Sequence, residues 1–178
     1  SNYNFEKTPL YETFLKNAQK NNIPIFIIGA GDSEKLGNTM QLDVLYPYYK
    51  MKFFDVNDNH GSLVLHIKSK NTSILLTGDV GIIDETILLQ QNTDLKSDIL
   101  KVGHHGSKYS STEKFLKAVQ PDIAILSYGA NNLYGHPHNE TIERLQKQNI
   151  IFYETAKQGT ITVLIDENGY TVEGMYSE

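Results

Sequence analysis

The chain contains no cysteine, which excludes thiolate metal sites and disulfide bonds. Any metal ligands must therefore be histidine or carboxylate side chains. Positive charge is also scarce, since the formal net charge is −5, so no general attraction for nucleic acid is expected. A polyanion would have to be held locally, and bound metal is one source of local positive charge. No apolar run approaches the roughly 20 residues of a membrane-crossing helix, so we expect this chain to be soluble.

The length and composition predict one globular domain over residues 1–178. A chain of 178 residues with 39% hydrophobic residues is long and apolar enough to bury a core. The chain begins with Ser1-Asn2 rather than methionine, and we expect it to be a piece of a longer protein.

Hydrophobic patterning predicts a layered α/β domain. From residue 98 onward strands alternate with helices, whereas earlier strands form a meander, so we expect a mixed sheet with helices mainly on one face. Thr8 and Pro9 are typical of a helix start. The predicted strands cover 24–28, 42–46, 62–67, 72–77, 98–102, 123–126, 150–153, 160–165 and 170–172. The predicted helices begin after Thr8, at Ile83 (through Gln91), after a capping box at Ser110–Glu113, and at Asn139 (through Gln148).

The stretch from Leu75 to His138 carries the main functional signal. It repeats one form: an apolar strand, a glycine and then a metal-capable side chain. Polar residues at strand ends on one edge of a sheet are where α/β proteins place their sites. Four of the six histidines lie in this stretch. The candidate ligands and catalytic groups are Asp79, His104, His105, His136 and His138.

Each candidate also has an ordinary structural interpretation. Asp79 follows a strand and a glycine, where it can bind metal or simply form a turn. His104 and His105 follow the next strand, and we expect neighbouring residues there to point to opposite sides, so that one imidazole faces the site. Gly106 is predicted to let substrate approach the backbone, and Ser107 to donate to a phosphate oxygen.

The histidines near residue 137 do not complete a metal motif by themselves. His136 and His138 would begin His-x-His-x-Asp-His, but Glu140 and Thr141 stand where aspartate and histidine are needed. His136 is the stronger candidate for closing the site, and His138 the weaker. His60 has a small chance of contacting the site from its loop, and His66 is interpreted as a strand-face residue.

A glycine turn near residue 30 permits a different function class, a metal-independent small-molecule binder. Gly29 and Gly31 match the start of Gly-x-Gly-x-x-Gly, but Glu34 replaces the third glycine. A plain turn is the better interpretation.

Taken together, several motifs resemble the metallo-β-lactamase superfamily. They are Gly78-Asp79, the run Asp98–Ser107, Pro121 with its following strand, and Gly135-His136-Pro137. Within the superfamily the match is most similar to the hydrolase domain of competence DNA-uptake proteins of the ComEC kind. The resemblance covers about residues 24–165.

The resemblance implies a four-layer αββα sandwich that uses two zinc or manganese ions to hydrolyse a phosphodiester. Asp79 matches the bridging carboxylate, and one of His104 and His105 matches a late histidine ligand; we favour His105. His104 and His136 would then be catalytic, and Ser107 and His138 would contact substrate. DNA is the expected substrate of the parent, which would be a bacterial membrane protein carrying this domain outside the cytoplasm.

One departure from the family pattern limits these expectations. The first metal motif, His-x-His-x-Asp-His, is absent, since no histidine precedes His60. We therefore expect the chain to be the C-terminal portion of the hydrolase domain, to bind metal weakly or not at all, and to be inactive alone. Apolar surface left bare by the missing portion is expected to drive dimerisation.

A non-catalytic module of the same fold is the alternative function. Such a module would guide DNA or scaffold a channel. The aromatic-rich loop 46–54, which includes Lys50 and Lys52, would then stack on and hold single strands.

Overall fold

The computed structural model describes residues 8–48, 59–91 and 93–176. Two single-turn 3₁₀ segments, Asn59–Gly61 and Gly103–Gly106, accompany the regular elements. Those elements are, in chain order, α1 (Pro9–Lys20), β1 (Ser33–Leu36), β2 (Met40–Tyr46), β3 (Val64–Lys68), β4 (Ser73–Leu76), α2 (Ile82–Gln90), β5 (Ile99–Lys101), α3 (Glu113–Val119), β6 (Ile123–Leu126), α4 (Asn139–Lys147), β7 (Ile151–Glu154), α5 (Thr155–Gln158), β8 (Ile161–Asp166) and β9 (Gly169–Gly174).

The main sheet is mixed, as the sequence predicts. Its seven strands lie in the order β1 to β7, antiparallel from β1 to β4 and parallel from β4 to β7. Strands β8 and β9 form a separate antiparallel hairpin. Helices connect the parallel strands, as parallel pairing requires. The prediction of an α/β fold with a mixed sheet is confirmed.

One face of the sheet carries the core. His66, Leu75, Leu100 and Ala124 are successive partners across four strands and are all fully buried. Because paired residues share a face, these side chains define the buried side of the sheet. The apolar residues of the helices that join this core are Leu88 of α2, Phe115, Leu116 and Val119 of α3, and Leu145 of α4.

The N-terminal region departs from the prediction. Helix α1 begins as expected, with Thr8 Oγ1 accepting from the N–H of Tyr11. Its apolar stripe does not pack, however, because Leu10 is 80% exposed and only Ala18 is buried. The predicted strand over residues 24–28 is absent, since an apolar run becomes a strand only where a neighbouring strand pairs with it.

Two predicted helix caps are shifted. Thr112, not Ser110, caps α3, because its hydroxyl accepts from the N–H of Phe115. His138, not Asn139, is the N-cap of α4, and its carbonyl accepts from the N–H groups of residues 141 and 142. Strand β1 and helix α5 were not predicted.

Within the described ranges, no helix has both the length and the apolar character needed to span a bilayer. The parallel strands β4, β5 and β6 all deliver their carboxyl ends to one edge of the sheet. The polar segments after these three strands contain the residues singled out by sequence.

Candidate metal centre

The turn after β4 fixes the position of Asp79. The carbonyl of Gly78 accepts from the N–H of His104 at 3.1 Å and from Nζ of Lys101 at 2.9 Å. The N–H of Asp79 donates to Oγ of Ser62 at 3.1 Å. Gly78 has a φ of +54°, and a Cβ there would lie 3.1 Å from that of Ser62, so the turn requires glycine. These contacts tie the turn to the loop after β5.

His105 lies beside the Asp79 carboxylate. Its Nε2 is 3.5 Å from Oδ1 of Asp79. On the other side of the ring, Nδ1 lies 2.6 Å from the carbonyl oxygen of Ser127. A carbonyl only accepts, so Nδ1 carries the proton, and a neutral ring then presents the lone pair of Nε2 to Asp79. Metal-binding histidines are oriented in the same way, by a hydrogen bond from the second nitrogen.

The spacing of these two atoms fits a shared ion. Two ligands about 2.1 Å from one tetrahedral ion would lie about 3.4 Å apart, close to the 3.5 Å between Asp79 Oδ1 and His105 Nε2. Both side chains also keep access to solvent, at 37% and 44% exposure. The donor pair is chemically suited to zinc or manganese.

The pair is not a complete site. Among the described residues, no three His, Asp or Glu side chains lie close enough together to hold one ion. Structural and catalytic zinc sites use three or four protein ligands. The arrangement therefore accounts for part of a coordination shell, and the source of the remaining ligands stays a prediction.

His104 and His105 do not sit as the sequence predicted. The expectation that they point to opposite sides assumed extended backbone, but both have left-handed geometry, with φ values of 46° and 55°. Their rings meet edge to face, with centroids 6.4 Å apart. Left-handed backbone in non-glycine residues costs free energy and is concentrated at functional sites. Both imidazoles therefore border the same space.

His136 joins this cluster from the loop after β6. Its ring centroid lies 5.5 Å from that of His104, 6.3 Å from that of His105 and 5.1 Å from that of His138. Burial lowers the pKa of His136, and repulsion from the neighbouring imidazoles lowers it further. The neutral form is favoured, which leaves one nitrogen able to donate and one able to accept a proton. The structure thus brings all four predicted histidines together.

Two predicted substrate contacts have other surroundings. Ser107 is only 3% exposed, and its hydroxyl oxygen accepts from the N–H of Tyr109. Its carbonyl accepts from the hydroxyls of Ser110 and Thr141. His138 caps α4 and donates its N–H to the carbonyl of Gly106. Both residues therefore hold loops in place, and their substrate contact stays a prediction without support from their surroundings.

The structure gives a packing reason for glycine at position 106. Its φ is +84°, and a Cβ would lie 2.7 Å from that of Pro137 and 3.0 Å from Cδ2 of Leu126. This close approach is to the loop bearing His136, and the predicted approach of substrate to Gly106 stays a prediction. Glycine is needed because it lets the two histidine loops pack against each other.

Sequence reasoning missed several residues that support the cluster. Lys101 contacts the turn at Gly78 and lies 3.8 Å from Oδ1 of Asp79, and burial lowers its pKa. Asn59 Nδ2 lies 3.3 Å from Nε2 of His104. A lysine within the apolar run of β5 was a usable signal, because such strands seldom bury a charge without a partner. The contact from Asn59 comes from a distant loop and left no local signal.

A neighbouring buried network anchors the loop that carries Asn59. His60 Nδ1 lies 2.7 Å from Oδ1 of Asp84, which is 1% exposed. The hydroxyl of Tyr46 donates to the same oxygen at 2.8 Å. His60 thus fixes the loop at residue 59 beside His104.

The central part of the chain matches a protein-family model. Residues 56–130 match the model of the Metallo-beta-lactamase superfamily. This segment includes Asp79, His104 and His105, whereas His136 lies just beyond it.

Curated relatives match a larger share of the chain. It is 36% identical over 157 residues to ComE operon protein 3 of Bacillus subtilis. The aligned segment covers 88% of this chain and 20% of the relative. It is 41% identical over 106 residues to Recombination protein 2 of Haemophilus influenzae, covering 60% and 13%. It is 32% identical over 116 residues to Competence protein ComA of Neisseria gonorrhoeae, covering 65% and 17%. The chain spans a fifth or less of the length of these relatives.

A solved structure shares the fold. A protein described as a metal-dependent hydrolase from Parabacteroides distasonis superposes with a TM-score of 0.50 over 79% of this chain and 62% of its own. Sequence identity is 17%, so the likeness concerns the fold alone.

Proposed function

Because residues 56–130 of this chain match the model of the Metallo-beta-lactamase superfamily, we propose that the chain is part of a metal-dependent hydrolase domain acting on DNA phosphodiesters. The observation that carries the proposal is the 3.5 Å approach of Asp79 Oδ1 to His105 Nε2, with the Ser127 carbonyl orienting the imidazole. The names of the relatives, which refer to competence and recombination, support DNA as the substrate.

Asp79 and His105 would be ligands of the bound metal, which we propose is zinc or manganese. The intact domain would hold two such ions. When bound, the metal supplies a Lewis acid for the phosphoryl oxygen and lowers the pKa of a water molecule. Lys101 keeps the turn at Gly78 closed and partly balances the Asp79 carboxylate.

His104 and His136 would act on the leaving group. Their ring centroids are 5.5 Å apart, and both rings border the space beside His105. An imidazole in this position can donate a proton to the departing oxygen. We assign proton donation to His104 and positioning of the substrate to His136, whose neutral form is favoured because burial and the neighbouring imidazoles lower its pKa.

The remaining ligands are proposed to come from elsewhere in the parent protein. The described residues provide two donors, whereas a catalytic site needs at least three. The chain would then be the C-terminal portion of the hydrolase domain and inactive alone. The parent would be a bacterial membrane protein exposing this domain outside the cytoplasm, which protease accessibility in intact and permeabilised cells would test.

A metal-dependent hydrolysis assay tests the proposed function. The domain, extended by the upstream residues of its parent, should cut a labelled oligonucleotide with zinc or manganese and lose activity with a chelator. Asp79→Ala should abolish cleavage while leaving the unfolding midpoint near that of the unchanged protein. Cleavage that survives in Asp79→Ala would contradict the proposal.

A non-catalytic DNA-guiding or scaffolding module is the second candidate, and the incomplete ligand set favours it. The aromatic loop first considered for this role falls largely in residues 49–58, which lie outside the described residues. This candidate predicts DNA binding without hydrolysis in the extended domain at any metal concentration. It also predicts that Asp79→Ala leaves DNA binding unchanged.

A further inference from the structure

The loop between β6 and α4 presents two large side chains to solvent beside the histidine cluster. Leu133 is 99% exposed and Tyr134 is 79% exposed. Aromatic side chains usually bury much of their ring, so an exposed one next to a candidate site is a candidate for ligand contact.

The loop is internally braced. The side-chain amide of Asn132 donates to the carbonyls of Gly129 at 2.8 Å and His136 at 2.7 Å. Its amide oxygen accepts from the N–H of His136 at 2.9 Å. Three hydrogen bonds from one side chain therefore close the loop around Tyr134. A braced loop loses little conformational freedom when a ligand binds to it.

The ring of Tyr134 continues the line of imidazoles leading to Asp79. It stacks on His136 at 5.8 Å with an interplanar angle of 22°, and His136 stacks on His105 at 6.3 Å with an angle of 26°. His105 in turn contacts the Asp79 carboxylate. One face of the Tyr134 ring is turned toward His136. Because the side chain is 79% exposed, ring surface remains free for a second planar partner.

We propose that Tyr134 is a stacking platform for a nucleobase of single-stranded DNA, placed beside the site that takes the phosphodiester. This inference rests on the proposed function and adds the strandedness of the substrate. Inside a duplex both faces of a base are covered by its neighbours, so away from a duplex end an exposed ring can stack only on an unpaired or unstacked base. Stacking of this kind tolerates any sequence, because every base has an aromatic face.

The geometry favours a base over an apolar protein partner. The platform consists of one ring and one neighbouring leucine on a braced loop, whereas protein interfaces require a much wider buried area. A single ring in line with the candidate metal pair is suited to orienting one nucleotide.

Binding without turnover tests the platform directly. With a chelator present, the full chain should bind a fluorescein-labelled oligothymidylate, as measured by fluorescence anisotropy. Tyr134→Ala should weaken binding by about 5- to 150-fold, the range found when one base–aromatic stack is removed. Tyr134→Phe should keep the affinity, because it keeps the ring. Tyr176→Ala, which removes another exposed tyrosine, is the matched control and should bind like the unchanged chain.

An abasic oligonucleotide of equal length separates base stacking from phosphate contact. The unchanged chain and Tyr134→Ala should bind it equally weakly. The platform is refuted by undetectable binding of oligothymidylate, by unchanged affinity in Tyr134→Ala, or by equal binding of the abasic strand and oligothymidylate. Because no metal is present, these results are independent of hydrolysis. Base-dependent binding in a protein that never cuts DNA would refute the proposed function alone.

Discussion

His105 is held between two oxygens: its Nδ1 donates to the carbonyl of Ser127 at 2.6 Å, and its Nε2 faces Oδ1 of Asp79 at 3.5 Å. The hydrogen bond to Ser127 places the ring proton on Nδ1. In the neutral ring, Nε2 is then unprotonated and faces Asp79. Three separate sequence segments, each at the end of a parallel strand, must be correctly placed for this arrangement to form.

Thr155 is predicted to position the Ser127 carbonyl. Its hydroxyl accepts from the N–H of Tyr128 at 2.9 Å and donates to the carbonyl of Tyr128 at 3.0 Å. Tyr128 directly follows Ser127, so its N–H belongs to the same peptide group as the Ser127 carbonyl. Thr155→Val removes both hydrogen bonds, so the orientation of the Ser127 carbonyl should no longer be fixed. We expect zinc affinity of the extended domain to fall by about tenfold, within the range for outer-shell changes, as measured by calorimetry.

Thr155→Ser is the matched control, since it keeps the hydroxyl and should restore the affinity. Nitrogen NMR of His105 should show the Nδ1–H tautomer in the unchanged chain and in Thr155→Ser, and a mixture in Thr155→Val. An unchanged tautomer and zinc affinity in Thr155→Val would contradict the positioning role.

The left-handed backbone at His104 is predicted to cost stability. With a φ of 46°, alanine should be strained there while glycine is not. His104→Gly should therefore unfold at higher denaturant than His104→Ala, by about 1 kcal/mol in the free energy of unfolding. At Lys114, in the helix α3, the same pair of substitutions should rank in the opposite order. Equal stability of the two variants at position 104 would show that the backbone is unstrained.

His66 is predicted to make stability depend on pH. It is fully buried, and burial lowers its pKa below the ordinary histidine value of 6.5. Below pH 6.5 the unfolded chain therefore takes up a proton at this position that the folded chain does not, so stability is lost as pH falls. His66→Gln, which retains polar atoms for Ser97, should flatten the fall in unfolding free energy that begins as pH drops below about 6.5. Parallel curves for the two proteins would rule out this contribution.

The exposed apolar surface near the N-terminus is predicted to cause self-association. Leu10 is 80% and Phe26 is 77% exposed. Sedimentation equilibrium should show dimers or larger species of the unchanged chain, and the double variant Leu10→Asp with Phe26→Asp should be monomeric. Ile83→Asp alters another exposed apolar residue, at 59% exposure, and should leave association unchanged. A monomeric unchanged chain would contradict the prediction.

The sequence indicated the sheet where each strand has its own local signal. Strands β4, β5 and β6 are apolar runs that end near Gly78, Gly103 and Ser127, and their order along the chain matches their order in the sheet. Strand β1, Ser-Glu-Lys-Leu, is polar and was missed, because its pairing with β2 rather than its composition defines it. The prediction for residues 24–28 was wrong for the opposite reason, since they have the composition of a strand but pair with none of the strands that the structure describes.

The candidate site was predictable in its residue types but not in its geometry. Asp79 and the histidines carry the chemistry in their side chains, so their grouping could be expected from strand ends. The orientation of His105 depends on the carbonyl of Ser127, a backbone atom that every residue possesses. The need for glycine at position 106 comes from its packing against Pro137 of the neighbouring loop. Neither contact has a local sequence pattern.

The central claim is that Asp79 and His105 bind the same ion, and a double-mutant cycle on zinc affinity tests it most directly. Calorimetry would compare the extended domain with Asp79→Ala, His105→Ala and the double variant, with His104→Ala as the control. We predict that each single change removes most of the affinity at one site, that the double change adds little more, and that His104→Ala has a much smaller effect. Affinity unchanged by either single substitution, or losses that simply add, would contradict a shared ion.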